Sequence, residues 1–218
     1  TGKPKGAMLT HAAVASNARQ VIDHVDCLTP GGERVLGVLP LFHVFAAYPI
    51  LMSCIHSGAL MVMPTPAGYR GDGVFDNFWK LIERWHATFL ITVPTAIAAL
   101  MQRKVDADVS SLRTAISGSA ALNREVAEWF HAAGILVLEG YGLTETAAGA
   151  FVNHPEQYKF GSVGHVFPGG EVKIAEDGEV LIKGGNIFGG YYKNADASFG
   201  AVVDGWLHTG DLGSLDED

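Results

Sequence analysis

The stretch Ile135-Leu136-Val137-Leu138 is followed, after one glutamate, by Gly140-Tyr141-Gly142-Leu143-Thr144-Glu145. Four apolar residues leading into a glycine-rich turn are typical of a buried strand that ends in a ligand-binding loop. The two glycines let the backbone approach a ligand closely, and Tyr141 offers a ring face for stacking. Thr144 supplies a hydroxyl and Glu145 a carboxylate that suits a metal ion. This combination favours a site for a purine nucleotide with Mg2+.

Apolar segments elsewhere in the chain alternate between strand and helix patterns. We predict a helix from about His11 to Val25, capped by Thr10, and further helices around residues 74–85, 95–103 and 126–133. Predicted strands lie at 7–9, 35–39, 60–63, 88–93, 112–117 and 135–138. Strands that alternate with helices predict an α/β fold, with a mostly parallel sheet flanked by helices.

The pattern changes beyond about residue 159. Val172, Ile174, Val180 and Ile182 alternate with polar residues, and Glu176-Asp177-Gly178 between them indicates a hairpin. We therefore predict an α/β subdomain over residues 1–158, followed by a small antiparallel β-rich subdomain over 159–218.

Two loops follow neighbouring predicted strands. Gly118-Ser119-Ala120 comes after the strand at 112–117, and the loop at 140–145 comes after the next strand. In open α/β sheets, ligands bind beyond the carboxyl ends of the strands. We expect both loops to open on the same sheet edge and to contact one ligand.

The composition of the chain bears on its partners and its cellular compartment. The chain has 218 residues, 48% of them hydrophobic, and a formal net charge of −8, which argues against a nucleic-acid partner. The two cysteines, Cys27 and Cys54, form no C-x-x-C pair and suit a reducing cytoplasm as free thiols, although one disulfide stays possible. No signal peptide is visible, and a start at Thr1 suggests a piece of a longer protein.

Residues 35–69 contain no Asp, Glu, Lys or Arg, so a membrane-spanning helix is one hypothesis. Pro40, Pro49 and Pro64 would break an ordinary helix there. We favour buried helices and strands around an apolar tunnel, and keep a membrane-associated protein as the alternative.

Two further segments accompany the loop at 140–145. The chain opens with Thr1-Gly2-Lys3-Pro4-Lys5-Gly6, and Trp206-Leu207-His208-Thr209-Gly210-Asp211 lies near its end. The opening segment lacks the spacing of a Walker P-loop, but glycine amides and lysine charge suit phosphate oxygens. With these three motifs in this order, the chain resembles the adenylate-forming superfamily of acyl-CoA synthetases, adenylation domains and luciferases, and most resembles fatty acyl-CoA synthetases.

The resemblance implies roles for particular residues. Lys5, Thr144 and Glu145 would be catalytic: Lys5 on the β- and γ-phosphates, Thr144 on the α-phosphate, and Glu145 as the Mg2+ ligand. Tyr141 would stack on adenine, Asp211 would accept the ribose hydroxyls, and His43 would border the acyl pocket and the pantetheine tunnel as a gate. The remaining implied nucleotide contacts are Thr1, Gly2, Lys3, Gly6, Gly118, Ser119, Ala120, Glu139, Gly140 and Gly142.

The implied activity is ATP-dependent activation of a carboxylic acid through an acyl-adenylate, followed by thioester formation with coenzyme A. The apolar run at 35–63 favours a hydrophobic acid, and the resemblance to fatty acyl-CoA synthetases implies a fatty acid, with aryl-acid ligases and carrier-protein thiols as alternatives. The family's adenylating lysine and C-terminal domain have no counterpart here, so we predict that these residues alone are inactive or weak. The alternative to a ligase is a module that binds the nucleotide without catalysing a reaction.

Two other hypotheses concern single motifs. The loop at 140–145 could be a dinucleotide loop of the G-x-G-x-x-G type, but Glu145 stands at the third glycine position, where it would repel a pyrophosphate. An N-terminal threonine such as Thr1 can also serve as a nucleophile, as in an amidohydrolase.

Overall fold

The computed structural model describes residues 4–25 and 32–217. Its helices are α1 (His11–Val25), α2 (Ser53–Ser57), α3 (Phe78–Trp85), α4 (Pro94–Met101), α5 (Arg124–Ala132) and α6 (Ala195–Ala201). A π-helical segment over Ala46–Met52 runs directly into α2. Cys27 and the opening residues Thr1, Gly2 and Lys3 lie outside the described residues.

A seven-stranded sheet forms the centre of the fold, in the order β2-β1-β3-β4-β5-β6-β7. The first five strands pair in parallel, whereas β6 and β7 continue the sheet antiparallel. The strands are β1 (Arg34–Gly37), β2 (Leu60–Val62), β3 (Phe89–Thr92), β4 (Thr114–Ser117), β5 (Leu136–Tyr141), β6 (Phe151–Val152) and β7 (His165–Val166). This confirms the predicted mostly parallel sheet.

A second, antiparallel sheet follows, in the order β10-β11-β9-β8. Its strands are β8 (Glu171–Ile174), β9 (Glu179–Lys183), β10 (Val202–Val203) and β11 (Trp206–Leu212). The predicted hairpin joins β8 to β9, with Gly178 at a positive φ of 91°. The small antiparallel unit is therefore confirmed. Strand β7 lies beyond residue 159 and still belongs to the larger sheet. The division into subdomains at 158/159 stays a prediction.

The period of two along each strand divides the core between the two faces of the larger sheet. Leu90, Ala115 and Val137 face the core that contains the buried side chains of α3, α4 and α5. Their neighbours Ile116 and Leu138 belong to the core formed with α1 and the π-helical segment. Burial on both faces explains the continuous apolar runs that predicted these strands.

Local signals account for several element ends. Thr10 Oγ1 accepts a hydrogen bond from the Ala13 amide at 3.0 Å, which caps α1 as predicted. Asn123 caps α5 in the same way, through the Glu125 amide. Gly134, after the end of α5, has a φ of 82°, a conformation that glycine adopts without strain.

Three local predictions are wrong. Residues 7–9 form no strand, only a single bridge from Ala7 to Tyr191. Strand β5 continues past Leu138 to Tyr141, because Gly140 and Tyr141 pair with β6. Pro49 lies inside the π-helical segment rather than ending it.

The charge-free segment 35–69 contributes β1, β2, α2 and the π-helical segment to the fold. Among residues 4–25 and 32–217, no helix has the length and apolar character needed to cross a bilayer.

Candidate functional site

A cavity of about 240 Å³ lies at the carboxyl ends of β4 and β5, between the larger sheet and the helical layer of α1. Its deeper wall is apolar and is formed by Val21, Val25, Ile50, Phe89, Ile91 and Ile116. Its lining also includes seven residues that the sequence assigned to a ligand site: His43, Gly118, Ser119, Gly140, Tyr141, Gly142 and Thr144. The two predicted loops therefore meet at one sheet edge, as expected.

The loop after β4 holds an unfavourable backbone conformation. Ser119 has a φ of 70°, in the left-handed region that residues with a side chain rarely adopt. A Cβ at Gly118 would lie 3.3 Å from Cζ of Phe45, so a small residue keeps this loop close to the cavity. Ala120 does not contribute to the cavity wall. Such strain is a feature that clusters at ligand sites.

The loop after β5 begins at Gly142, whose position excludes any side chain. A Cβ there would lie 1.7 Å from the carbonyl oxygen of Ala148. Thr144–Thr146 form one turn of 3-10 helix, and Thr146 Oγ1 accepts a hydrogen bond from the Leu143 amide at 2.9 Å. The tight turn leaves Thr144 exposed at the cavity and places Glu145 beside it.

Asp211 reaches this edge from the second sheet. The Tyr141 hydroxyl donates a hydrogen bond of 2.6 Å to Asp211 Oδ2, across 70 residues of sequence. Burial raises the pKa of Tyr141, and the bond to Asp211 raises it further, so the hydroxyl remains a donor. The structure thus brings the predicted adenine-stacking and ribose-binding residues into contact.

Glu145 and Lys5 meet through a residue that sequence reasoning missed. The Tyr191 hydroxyl donates to Glu145 Oε1 at 2.6 Å, and Lys5 Nζ lies 4.2 Å from the centre of the Tyr191 ring. The stretch Gly189-Gly190-Tyr191-Tyr192 contains a pair of glycines, which from sequence alone indicates only a break between strands. Lys5 and Gly6 lie outside the cavity wall.

Glu139 and His43 occupy different positions relative to the cavity. The Glu139 carboxylate accepts a hydrogen bond from the Leu122 amide at 2.9 Å, on the α5 side of the sheet, and burial raises its pKa. It does not line the cavity. His43 borders both this cavity and a second one of about 340 Å³, and its Nδ1 accepts a hydrogen bond from the Phe45 amide.

Within residues 4–25 and 32–217, no cluster of three or more His, Cys, Asp or Glu side chains could hold a metal ion. Mg2+ is commonly held by one or two carboxylates together with the phosphates of a substrate. The single carboxylate of Glu145, next in sequence to the cavity residue Thr144, would suit that kind of binding.

The model of the AMP-binding enzyme family matches residues 1–192. The chain belongs to the AMP-binding enzyme family. The matched range contains both loops at the cavity, Lys5 and Tyr191, and ends before Asp211.

Relatives within this family agree with the match. The long-chain-fatty-acid–CoA ligase FadD15 of Mycobacterium bovis is 32% identical over 261 residues, covering 100% of this chain and 43% of its own length. The 4-coumarate–CoA ligase 2 of Oryza sativa subsp. japonica is 33% identical, with 100% and 41% covered. The chain thus spans about two fifths of the length of these AMP-binding relatives.

A solved structure shares the fold of this chain. The N-terminal domain of FACL13 from Mycobacterium tuberculosis matches with a TM-score of 0.89 at 27% identity, covering 100% of this chain and 56% of that one. The mostly parallel sheet with its antiparallel companion is therefore the fold of an acyl-CoA synthetase N-terminal domain.

Proposed function

We propose that the protein to which this chain belongs activates a carboxylic acid with ATP, through an acyl-adenylate, and then transfers the acyl group to coenzyme A. One observation carries this proposal: a single cavity joins an apolar wall to the two polar loops at 118–119 and 140–144. An acyl-adenylate has the same division, with an acyl chain at one end and a phosphate and nucleoside at the other.

The nucleotide end is assigned to the mouth of the cavity. Tyr141 would stack on adenine, with its ring held by Asp211, and Asp211 would accept the ribose hydroxyls as well. The loop at 118–120 would lie between the adenine and the acyl group, and Thr144 would bind the α-phosphate. Lys5 and backbone amides of the opening segment would hold the phosphates that leave.

In the first step, a carboxylate oxygen of the acid bonds to the α-phosphorus of ATP. The bond from that phosphorus to the oxygen bridging it to the β-phosphate breaks, and pyrophosphate leaves. The chain's task is to position charge around the phosphates, since phosphoryl-type transfers depend mainly on alignment and electrostatic stabilisation. Mg2+ bound at Glu145 would neutralise charge on the phosphate oxygens.

In the second step, the sulfur of a thiol bonds to the acyl carbon, the bond from that carbon to the phosphate oxygen breaks, and AMP leaves with the thiol proton released. The second cavity shares His43, Phe45 and Ser119 with the first. A pantetheine arm entering through it would reach the acyl carbon past His43, which supports the gate role. Either coenzyme A or a carrier-protein thiol could supply that arm.

A fatty acid is the substrate that the cavity favours. Its deep wall is built from branched aliphatic and phenylalanine side chains, and none of the wall residues on α1, the π-helical segment or β3 is charged. Burying alkyl surface against such a wall contributes about 0.8 kcal/mol per methylene. Aryl acids are the second candidate, because a 4-coumarate–CoA ligase is among the relatives.

Calorimetry with non-hydrolysable acyl-adenylate analogues of increasing alkyl length tests this proposal. We expect saturable binding that strengthens with each added methylene until the cavity is filled. Tighter binding of an aryl analogue than of every alkyl analogue would favour the aryl-acid alternative. Assaying thioester formation beside binding separates a ligase from a module that binds without turnover.

A further inference from the structure

The segment at 188–192 connects the two places at which the phosphates would be held. On one side, the Phe188 amide donates a hydrogen bond of 2.8 Å to the carbonyl of Glu145. On the other, the Gly189 amide donates to Met8, and the Tyr192 amide donates to Gly6 at 2.7 Å. The opening segment and the Glu145 turn are therefore tied to one piece of backbone.

Tyr191 lies at the centre of this connection and is held firmly. Its side chain is 7% exposed and packs against Phe188, with ring centres 4.8 Å apart. Its amide donates to Ser198 Oγ at 2.8 Å, and the Ser198 hydroxyl also contacts its carbonyl at 3.2 Å, which fixes its backbone against α6. The ring has little freedom to rotate away from its neighbours.

The hydroxyl and the ring face of Tyr191 contact different residues. The hydroxyl donates to Glu145 Oε1 at 2.6 Å, a short bond of the kind made to an ionised acceptor. Lys5 Nζ lies over the ring face, 4.2 Å from the ring centre, which is within the range of a cation–π contact.

We propose that Tyr191 is a positioning residue that holds the Glu145 carboxylate and the Lys5 ammonium in fixed relation, so that Mg2+ and the phosphates of ATP meet both at once. The inference rests on the proposed function, because it concerns the same nucleotide. It assigns a role to a side chain that does not line the cavity.

Two substitutions test the hydroxyl and the ring of Tyr191 separately. Tyr191→Phe removes the hydroxyl and keeps the ring that supports Lys5. Tyr191→Leu removes both. Tyr192→Phe is the matched control, because Tyr192 is the next residue and its side chain is 63% exposed.

The measurement is ATP binding to the chain by calorimetry, with and without Mg2+ and over a Mg2+ titration. Mg2+ should strengthen ATP binding, and we expect Tyr191→Phe to raise the Mg2+ concentration that gives half of this effect by about tenfold. That is the size expected for the loss of a hydrogen bond to a charged group. The affinity of Tyr191→Phe for ATP without Mg2+ should equal that of the unsubstituted chain. Tyr191→Leu should weaken ATP binding in both conditions, and Tyr192→Phe should change neither.

Other results would overturn the inference. If Tyr191→Phe shows the Mg2+ dependence of the unsubstituted chain, or weakens ATP equally with and without Mg2+, the hydroxyl has no role in placing Glu145. If Tyr191→Leu binds Mg2+-free ATP normally, the ring does not position Lys5. Absence of ATP binding by the unsubstituted chain would instead refute the proposed function together with this inference, which distinguishes the two failures.

Discussion

At the scale of single residues, position 142 has no room for a side chain. The Cβ of Gly142→Ala would lie 1.7 Å from the Ala148 carbonyl oxygen, which belongs to backbone and cannot move aside as a flexible side chain would. We expect this substitution to lower the free energy of unfolding by about 1–3 kcal/mol, the usual cost of overpacking. Denaturant unfolding measures it.

Gly200→Ala is the matched control for that substitution. Nothing lies within 4 Å of a Cβ at residue 200, which is within α6. Alanine is favoured over glycine inside a helix, so we expect a gain of about 0.5–1 kcal/mol. Equal unfolding midpoints for Gly142→Ala and the unsubstituted chain would contradict the close packing of this loop.

Asp211 is the residue whose substitution tests the nucleotide end of the site. Asp211→Ala removes the proposed ribose acceptor and also the partner of the Tyr141 hydroxyl. We expect acyl-adenylate analogues to bind at least about tenfold more weakly, since a lost hydrogen bond to a charged group is worth about 1.5–3 kcal/mol. Calorimetry measures the change. Glu176→Ala, an exposed carboxylate in the β8–β9 turn, should bind as the unsubstituted chain does.

Residues near the ends of strands could be placed from sequence, and residues distant in the chain could not. Tyr141 and Thr144 line the cavity because they lie at and just beyond the carboxyl end of a parallel strand, a position that the alternating pattern predicts. The contact between Tyr191 and Glu145 joins residues 46 positions apart and depends on where the segment between β9 and α6 packs. No local pattern contains that information.

At the scale of elements, strand β5 and the segment around Pro49 show where local rules fail. β5 extends through Gly140 and Tyr141 because β6, ten or more residues later, supplies hydrogen-bonding partners that outweigh the turn preference of glycine. Pro49 is accommodated in a π-helical segment, where the hydrogen-bond pattern is already irregular. In both cases tertiary packing overrides propensity.

A partly buried histidine lies between α1 and β6. His24 Nε2 lies 2.9 Å from the Val152 carbonyl oxygen, and its ring also contacts Phe167 and His154. Burial lowers the pKa of His24 below 6.5, and the nearby His154 and His165 lower it further, although the Val152 carbonyl opposes them.

Because the unfolded chain binds a proton at His24 more readily than the folded chain does, stability rises with pH across the interval between the two pKa values. We expect the free energy of unfolding to fall as the pH drops below about 6.5, toward the lowered pKa of the folded state. His24→Gln should reduce this slope in denaturant unfolding at several pH values. The exposed His56→Gln should keep it, and an unchanged slope in His24→Gln would contradict the assignment.

At the scale of the whole molecule, the fold class follows from sequence because each element repeats the same signal. Apolar strands buried on both faces, separated by amphipathic helices, predict the parallel part of the larger sheet. Two contacts between distant parts of the chain are not encoded in any one segment. Asp211 on β11 meets Tyr141, and Tyr191 in the segment between β9 and α6 meets Glu145. The site residues that lie far from the loop at 140–145 in sequence can therefore be identified only from the folded structure.

The whole folded chain brings the cavity and the two loops together as one candidate acyl-adenylate site. A crystal structure of the chain with a dodecyl acyl-adenylate analogue tests this most directly. We predict that the alkyl chain lies between Val21, Ile50 and Ile116, with adenine on Tyr141 and the ribose at Asp211. An alkyl chain outside this cavity, or a nucleotide bound away from Tyr141, would show that the cavity and the loops do not form one acyl-adenylate site.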